Sequence, residues 1–289
     1  TETVNGNIVM SGSGSISAGT STLSMAIDNT NSAPFTPGSI TLLSTTSGGL
    51  TLSSQSAGVV LKNITLNGSG SLSVTAGGAI TQSGALTVPG TSSFSAGANP
   101  ITLNNISNSM IGAITLSNSG SNTANIRVNS SGIIIATSNV GNLVLLAQSG
   151  GISQTGPLTV SGTSSFSSNS AGNHILLGSN NAFTGAITVS TTVGSNITLT
   201  NTLATAILGG CGGNFSLTSG GSVTQSGSLS APNGVTTISL TTAGTDIILN
   251  NAGNNFGTGT WGFGGTLSNI RDVNVRAFSF ATLSVPSFS

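Results

Sequence analysis

The sequence predicts an all-β fold, a parallel β-helix (β-solenoid) of about 12 coils of roughly 24 residues each. Three observations lead there. Short triplets alternate apolar and polar residues along the whole chain. A block of about seventy residues recurs in order. Charge is almost absent, while aliphatic residues remain plentiful: Lys, Arg, Asp and Glu make up 3% of 289 residues against 36% hydrophobic.

The triplets come first because they set the local structure. Ile40-Thr41-Leu42, Leu50-Thr51-Leu52, Ile64-Thr65-Leu66, Leu72-Ser73-Val74 and Leu86-Thr87-Val88 are followed by Ile101-Thr102-Leu103, Ile114-Thr115-Leu116, Leu158-Thr159-Val160, Ile187-Thr188-Val189 and Ile197-Thr198-Leu199. A period of two turns one set of side chains inward and the other outward, which is strand geometry. Gly, Asn and Ser clusters between the triplets are turn chemistry. The 42 glycines, interleaved with β-branched Thr, Ile and Val, argue against helices.

The repeat turns strands into an architecture. Gly77-Gly78-Ala79-Ile80-Thr81-Gln82-Ser83-Gly84-Ala85-Leu86 returns as Gly150-Gly151-Ile152-Ser153-Gln154-Thr155-Gly156-Pro157-Leu158, and again from Gly220 to Leu229. Gln82, Gln154 and Gln225 are 72 and 71 residues apart. Gly90 to Ser95 reappears identically as Gly162 to Ser167, with a third copy at Gly234 to Ser239 carrying Ile238 in place of Phe94 and Phe166. Units start near 70, 141 and 213, and Phe35 to Leu42 is a partial earlier copy. Three strands per coil and three coils per unit is solenoid arithmetic. It expects Phe94, Phe166 and Ile238 in one interior row, and Ile80, Ile152 and Val223 in another. A propeller fits less well, because its blades need longer strands and paired hairpin turns. Residues 1–269 read as a single β-helix domain, and 270–289 as a terminal segment of different character.

Composition removes whole classes of function. Four cations cannot form the basic stripe that nucleic acid requires. A single cysteine excludes a disulfide framework. Every apolar stretch is interrupted well short of the ~20 residues of a spanning helix. Residues 1–30 lack the basic start and apolar core of a signal peptide, so the chain is expected to be processed already or to be a piece of something longer.

The run GGAITQSGALTVPGTSSFSAGANPITLNN, followed by GAITLSNSG between Gly70 and Gly120, resembles the repeats of filamentous-haemagglutinin-like exoproteins of the two-partner secretion type and of related autotransporter passengers. The resemblance spans about 34 to 260. It implies a right-handed β-helical shaft on a bacterial surface, a handedness that also follows the rule for parallel crossovers. Two departures stand out. The N-terminus shows no secretion-domain signature, and turns that carry Asp in that family carry Asn here (Asn118, Asn180, Asn201, Asn254).

β-Helices can also host paired carboxylates for glycoside chemistry. Asp28, Asp246 and Asp272 fall at unrelated repeat positions, so no pair within about 10 Å is expected. The chain reads as no enzyme, without cofactor or metal. His174 reads as a surface turn residue, since nothing at metal-ligand spacing accompanies it. Cys211, in Gly209-Gly210-Cys211-Gly212-Gly213, reads as a small turn residue, the sharper alternative being an exposed thiol that crosslinks chains.

The terminal segment holds Arg271, Asp272 and Arg276, three of the eight charges, with period-2 runs Val273/Val275 and Phe278/Phe280. It reads as an end cap, or as a strand set that docks on another copy's first coil around Val4, Ile8 and Met10, with Leu283 contributing. The functional expectation is a secreted structural subunit that stacks end to end into an extracellular filament, sheath or surface layer, its partner being itself. The alternative is an adhesin shaft that binds glycans or another cell. Ice binding ranks below both, because pairs such as Thr20/Thr22, Thr200/Thr202 and Thr258/Thr260 do not recur at coil spacing.

Overall fold

The computed structural model describes residues 13–17, 23–29, 39–43, 48–257, 259–279 and 282–283, with side chains over 49–257 and 259–279. They divide into two compact units, Thr1–Gln148 and Ser149–Ser289. Val4, Ile8, Met10 and Phe280 lie outside the described residues.

The first unit contains three parallel sheets, visited in rotation. The first holds Ser13–Ser17, Ser39–Leu43, Ile64–Leu66, Leu86–Val88 and Ser109–Met110. The second holds Leu23–Asn29, Gly48–Ser54, Ser71–Ala76, Ser92–Ser95, Ile114–Ser117 and Ile133–Ile135, and the third Val59–Leu61, Ile80–Gln82, Ile101–Leu103, Thr123–Val128 and Asn142–Ala147. Each coil gives one strand to each sheet, and each strand pairs in parallel with its counterparts one coil away. This is a parallel β-solenoid.

The strands of the second unit fall in two parallel sheets. Ile152–Gln154, Ile175–Phe183, Ile197–Asn201, Phe215–Ser219, Thr236–Leu240, Thr260–Gly264 and Thr282–Leu283 form one parallel sheet. Ser164–Ser168, Ile187–Thr191, Thr205–Gly210, Val223–Ser230, Thr245–Leu249 and Ile270–Val275 form the other. The described residues make about 11 turns. Among them the one helical element is the 3₁₀ turn Leu267–Asn269.

The triplets fold as their periodicity dictates. Ile64–Leu66 and Ile101–Leu103 alternate buried, half-buried, buried, and Leu86–Val88 and Leu158–Val160 alternate buried, exposed, buried. Inward Ile, Leu and Val stack on their counterparts in the next coil, each contributing about 1.5–3 kcal/mol through apolar burial. Aromatic rings pack on one another as well: Phe166 meets Phe183 edge-on at 5.6 Å, and Trp261 meets Phe263 at 4.9 Å.

One expectation fails inside the second unit. Ile152, Ile175, Ile197 and Phe215 stack in successive coils. Val223, the repeat counterpart of Ile152, lies one strand further round, in the other sheet, on Ile247. Likewise Phe166 stacks on Val189, whereas Ile238 stacks on Leu217. The sequence repeat is therefore three coils plus one further strand, and its equivalent residues do not share an interior row. The cause is coil length, which runs from 18 residues (Ile197 to Phe215) to 26 (Ile247 to Val273).

Corners are tight. A Cβ on Gly112 would collide with the Gly90 carbonyl, and one on Gly90 with the Ser69 carbonyl. Repeated glycine at this corner is a steric requirement of the stacked backbone.

Candidate functional site

The repeat's glutamine marks a side-chain clamp. Gln82 Nε2 donates to Asn108 Oδ1 at 2.9 Å, and Asn108 Nδ2 donates back to Gln82 Oε1 at 2.9 Å. Asn108 is fully buried. Its Oδ1 also accepts the Leu86 N–H, and its Nδ2 reaches the carbonyls of Leu103 and Arg127. One side chain thus ties together three successive coils. Gln154 and Asn181 repeat the arrangement with Leu158, Leu177 and Thr200, and Gln225 and Asn254 with Leu229, Leu249 and Arg276. Each Gln Nε2 additionally donates to the carbonyl two residues on: Gly84, Gly156 and Gly227.

The chemistry explains why this pair recurs. A coil corner interrupts the ladder and leaves backbone groups inside, where an unpaired one costs about 1–3 kcal/mol. A carboxamide supplies donor and acceptor together without a charge to desolvate. Reading Asn254 as an ordinary turn residue is therefore corrected. Asn118 and Asn201 are corrected too: both are buried, Asn118 accepting the Gly141 N–H and Asn201 accepting the Phe183 N–H while donating to the Phe183 carbonyl. Asn180 is exposed. The missed signal was the Asn that follows each repeat glutamine at a separation of 26, 27 or 29 residues.

The residues expected at an assembly joint are placed as follows. Ile270–Val275 continues the stack, with Val273 in register with Ile247 and Val275 with Leu249. Leu283 is in register with Trp261. Val273 is 40% exposed and Phe278 70% exposed, while Val275 is half-buried. The other edge of Ile270–Val275 has no partner among the described residues.

Cys211 does not offer an exposed thiol. It is buried, and its Sγ donates toward the carbonyls of Gly213 and Asn214. Burial pushes the thiol above its ordinary range. His174 sits at a coil corner, half-buried, its Nδ1 accepting the Asn196 N–H at 2.9 Å.

Asp246 and Asp272, expected to lie apart, meet on Arg271. Its Nε lies 3.0 Å from Asp246 Oδ1 and 3.1 Å from Asp272 Oδ2. Thr245 pairs with Ile270 in the next coil, so neighbouring coils bring together what the repeat alignment separates. Asp246 holds the guanidinium above its usual range by hydrogen bonding and charge. The arrangement is an exposed ion cluster with both carboxylates satisfied by one cation. Among the described residues no group of three His, Cys, Asp or Glu could hold a metal, and no helix is long and apolar enough to cross a membrane.

Mixed Ser/Thr pairs, as distinct from Thr-x-Thr pairs, recur at coil spacing. On the second sheet of the first unit, Thr51/Ser53, Ser73/Thr75, Ser93/Ser95 and Thr115/Ser117 stack in register. In the second unit Thr198/Thr200, Ser216/Thr218 and Thr237/Ser239 do the same. The pattern mixes Ser with Thr over coils of unequal length, so no fixed spacing reveals it.

Compared with known proteins, the chain matches the family described as repeats of unknown function (DUF5649) in three consecutive copies, residues 47–117, 122–190 and 194–260. Each copy contains one Gln–Asn pair: Gln82/Asn108, Gln154/Asn181 and Gln225/Asn254. No curated protein and no solved structure matches.

Proposed function

The chain belongs to the family of repeats of unknown function (DUF5649), and from that premise we propose that its role is structural: a secreted, non-enzymatic subunit of a bacterial extracellular filament, sheath or surface layer, assembled end to end by coil stacking. The observation that carries this reading is the edge of Ile270–Val275. It extends the parallel stack on Thr245–Leu249, and Val273 and Phe278 beside it are exposed. A parallel strand edge is a template for a further strand, and exposed apolar side chains next to it favour its burial. A formal net charge of zero removes long-range repulsion between copies.

Sedimentation velocity of the wild-type chain and of Val273→Asp and Phe278→Asp tests the proposal. The expected result is polymer for wild type, with each variant shifted to single chains at an unchanged unfolding temperature. A monomeric wild type, or variants that polymerise equally, would overturn it. A monomer that binds glycans would instead favour the adhesin shaft.

A further inference from the structure

One corner of the second unit carries a ladder of side-chain acceptors. Ile175, Ile197 and Phe215 stack in register, and Thr236 follows on Phe215. The residues just before them are His174, Asn196, Asn214 and Val235. Each side chain takes the backbone N–H of the next coil. Asn196 N–H donates to His174 Nδ1 at 2.9 Å, Asn214 N–H to Asn196 Oδ1 at 2.8 Å, and Val235 N–H to Asn214 Oδ1 at 2.9 Å. Asn63 Oδ1 does the same for the Ala85 N–H in the first unit. The backbone closes the joint in the other direction, the Asn196 carbonyl accepting the Ile175 N–H at 2.9 Å.

Of these rungs His174 alone can titrate. A carboxamide oxygen accepts with or without acid in the medium, whereas an imidazole nitrogen accepts only while it holds no proton. A neutral ring that accepts at Nδ1 carries its proton on Nε2, so a second proton has only Nδ1 to occupy. We infer that His174 is an acid-sensitive latch: protonation turns Nδ1 from acceptor into donor, sets it against the Asn196 N–H and loosens the joint between these two coils. The step takes one proton from solvent, to which the half-buried ring is open, and breaks one hydrogen bond. It adds an acid response to the structural role above and does not depend on end-to-end stacking.

Among the described residues nothing charged faces the ring. The flanking coils meet it through Gly150-Gly151-Ile152 and Ser195-Asn196-Ile197, and its own neighbours are Asn173 and Ile175. Cys211, whose Sγ donates to the Asn214 carbonyl, stays a neutral thiol in acid because burial raises it. Asp246, Arg271 and Asp272 are bonded to one another on strands of the other sheet, and Arg276 follows the last of those strands. The unfolded chain takes up a proton that the latched fold excludes. Stability therefore falls as pH drops through the ordinary histidine range, about 6.5.

Thermal unfolding and hydrogen exchange of the full chain between pH 7.5 and pH 5 test this, with His174→Asn as the comparison because asparagine fills the same rung in the next coils. The chain has one histidine, and its four carboxylates are common to both proteins and cancel. The expected result is a wild-type unfolding temperature that drops by roughly 3–6 °C more than that of His174→Asn. Exchange resolved to single amides by mass spectrometry should show the Asn196 protection factor of the wild type falling at least about tenfold, with that of Asn214 unchanged. The exchange readout needs only the wild type, so it decides even where the variant folds poorly. Equal pH responses of the two proteins, or an Asn196 amide as protected at pH 5 as at pH 7.5, would overturn the latch.

Discussion

The side-chain amides of Gln154 and Asn181 face each other across adjacent coils, Gln154 Nε2 donating to Asn181 Oδ1 at 2.9 Å and Asn181 Nδ2 returning a bond to Gln154 Oε1 at 3.1 Å. Asn181 also satisfies Leu158, Leu177 and Thr200, so its loss orphans backbone groups in three coils. Asn181→Ala should cost about 3 kcal/mol or more, and Gln154→Ala about half that. In a double-mutant cycle measured by chemical denaturation the pair should couple by at least about 1 kcal/mol. Additive losses would show that the two amides act independently.

Glycine substitutions should separate by corner geometry. Gly112→Ala drives a Cβ into the Gly90 carbonyl, which stacked backbone cannot yield easily, so a loss of several kcal/mol is expected. At Gly210, in the strand Thr205–Gly210, a Cβ meets nothing within 4 Å and φ is not positive. Gly210→Ala should be neutral or slightly stabilising through the unfolded chain. Thermal unfolding of both variants checks the contrast.

Thr236 Oγ1 is buried without a hydrogen-bond partner, as are Ser92 Oγ and Ser164 Oγ at the same place in the other copies. Thr236→Val keeps the shape and removes an unsatisfied hydroxyl. Stability should rise by about 1 kcal/mol; a comparable loss would reveal a bound internal water.

Cys211 should resist alkylation in the native state and react on unfolding, since the thiolate is the nucleophile and burial disfavours it. The same shift has a pH signature. A thiol pKa raised on folding adds stability below its ordinary value of 9.0 and loses that contribution as pH climbs through the raised one. Stability should therefore fall above about pH 9 in wild type, and fall less in Cys211→Ala. Denaturation midpoints between pH 8 and 10.5 measure this.

Strand positions were legible because burial imposes a period of two, and Ile101-Thr102-Leu103 announces its inward side by chemistry alone. Stacking was legible only in part. Coil length varies from Ile197–Phe215 to Ile247–Val273, so residues one repeat apart, such as Ile152 and Val223, fall on different sheets. The same variation hid the in-register Ser/Thr pairs and the meeting of Asp246 with Asp272. The Gln–Asn clamp was half visible: Gln225 stood out by repetition, whereas Asn254 read as a turn residue although it is fully buried. Asparagine satisfies an inward corner as readily as an outward one, and composition does not distinguish the two.

Fibre diffraction with electron microscopy of the purified wild-type chain near neutral pH bears most directly on end-to-end structural assembly. The account expects uniform filaments whose reflection near 4.8 Å lies along the filament axis, because coils stack in that direction. Discrete short particles at every concentration, or filaments with that reflection perpendicular to the axis, would contradict it.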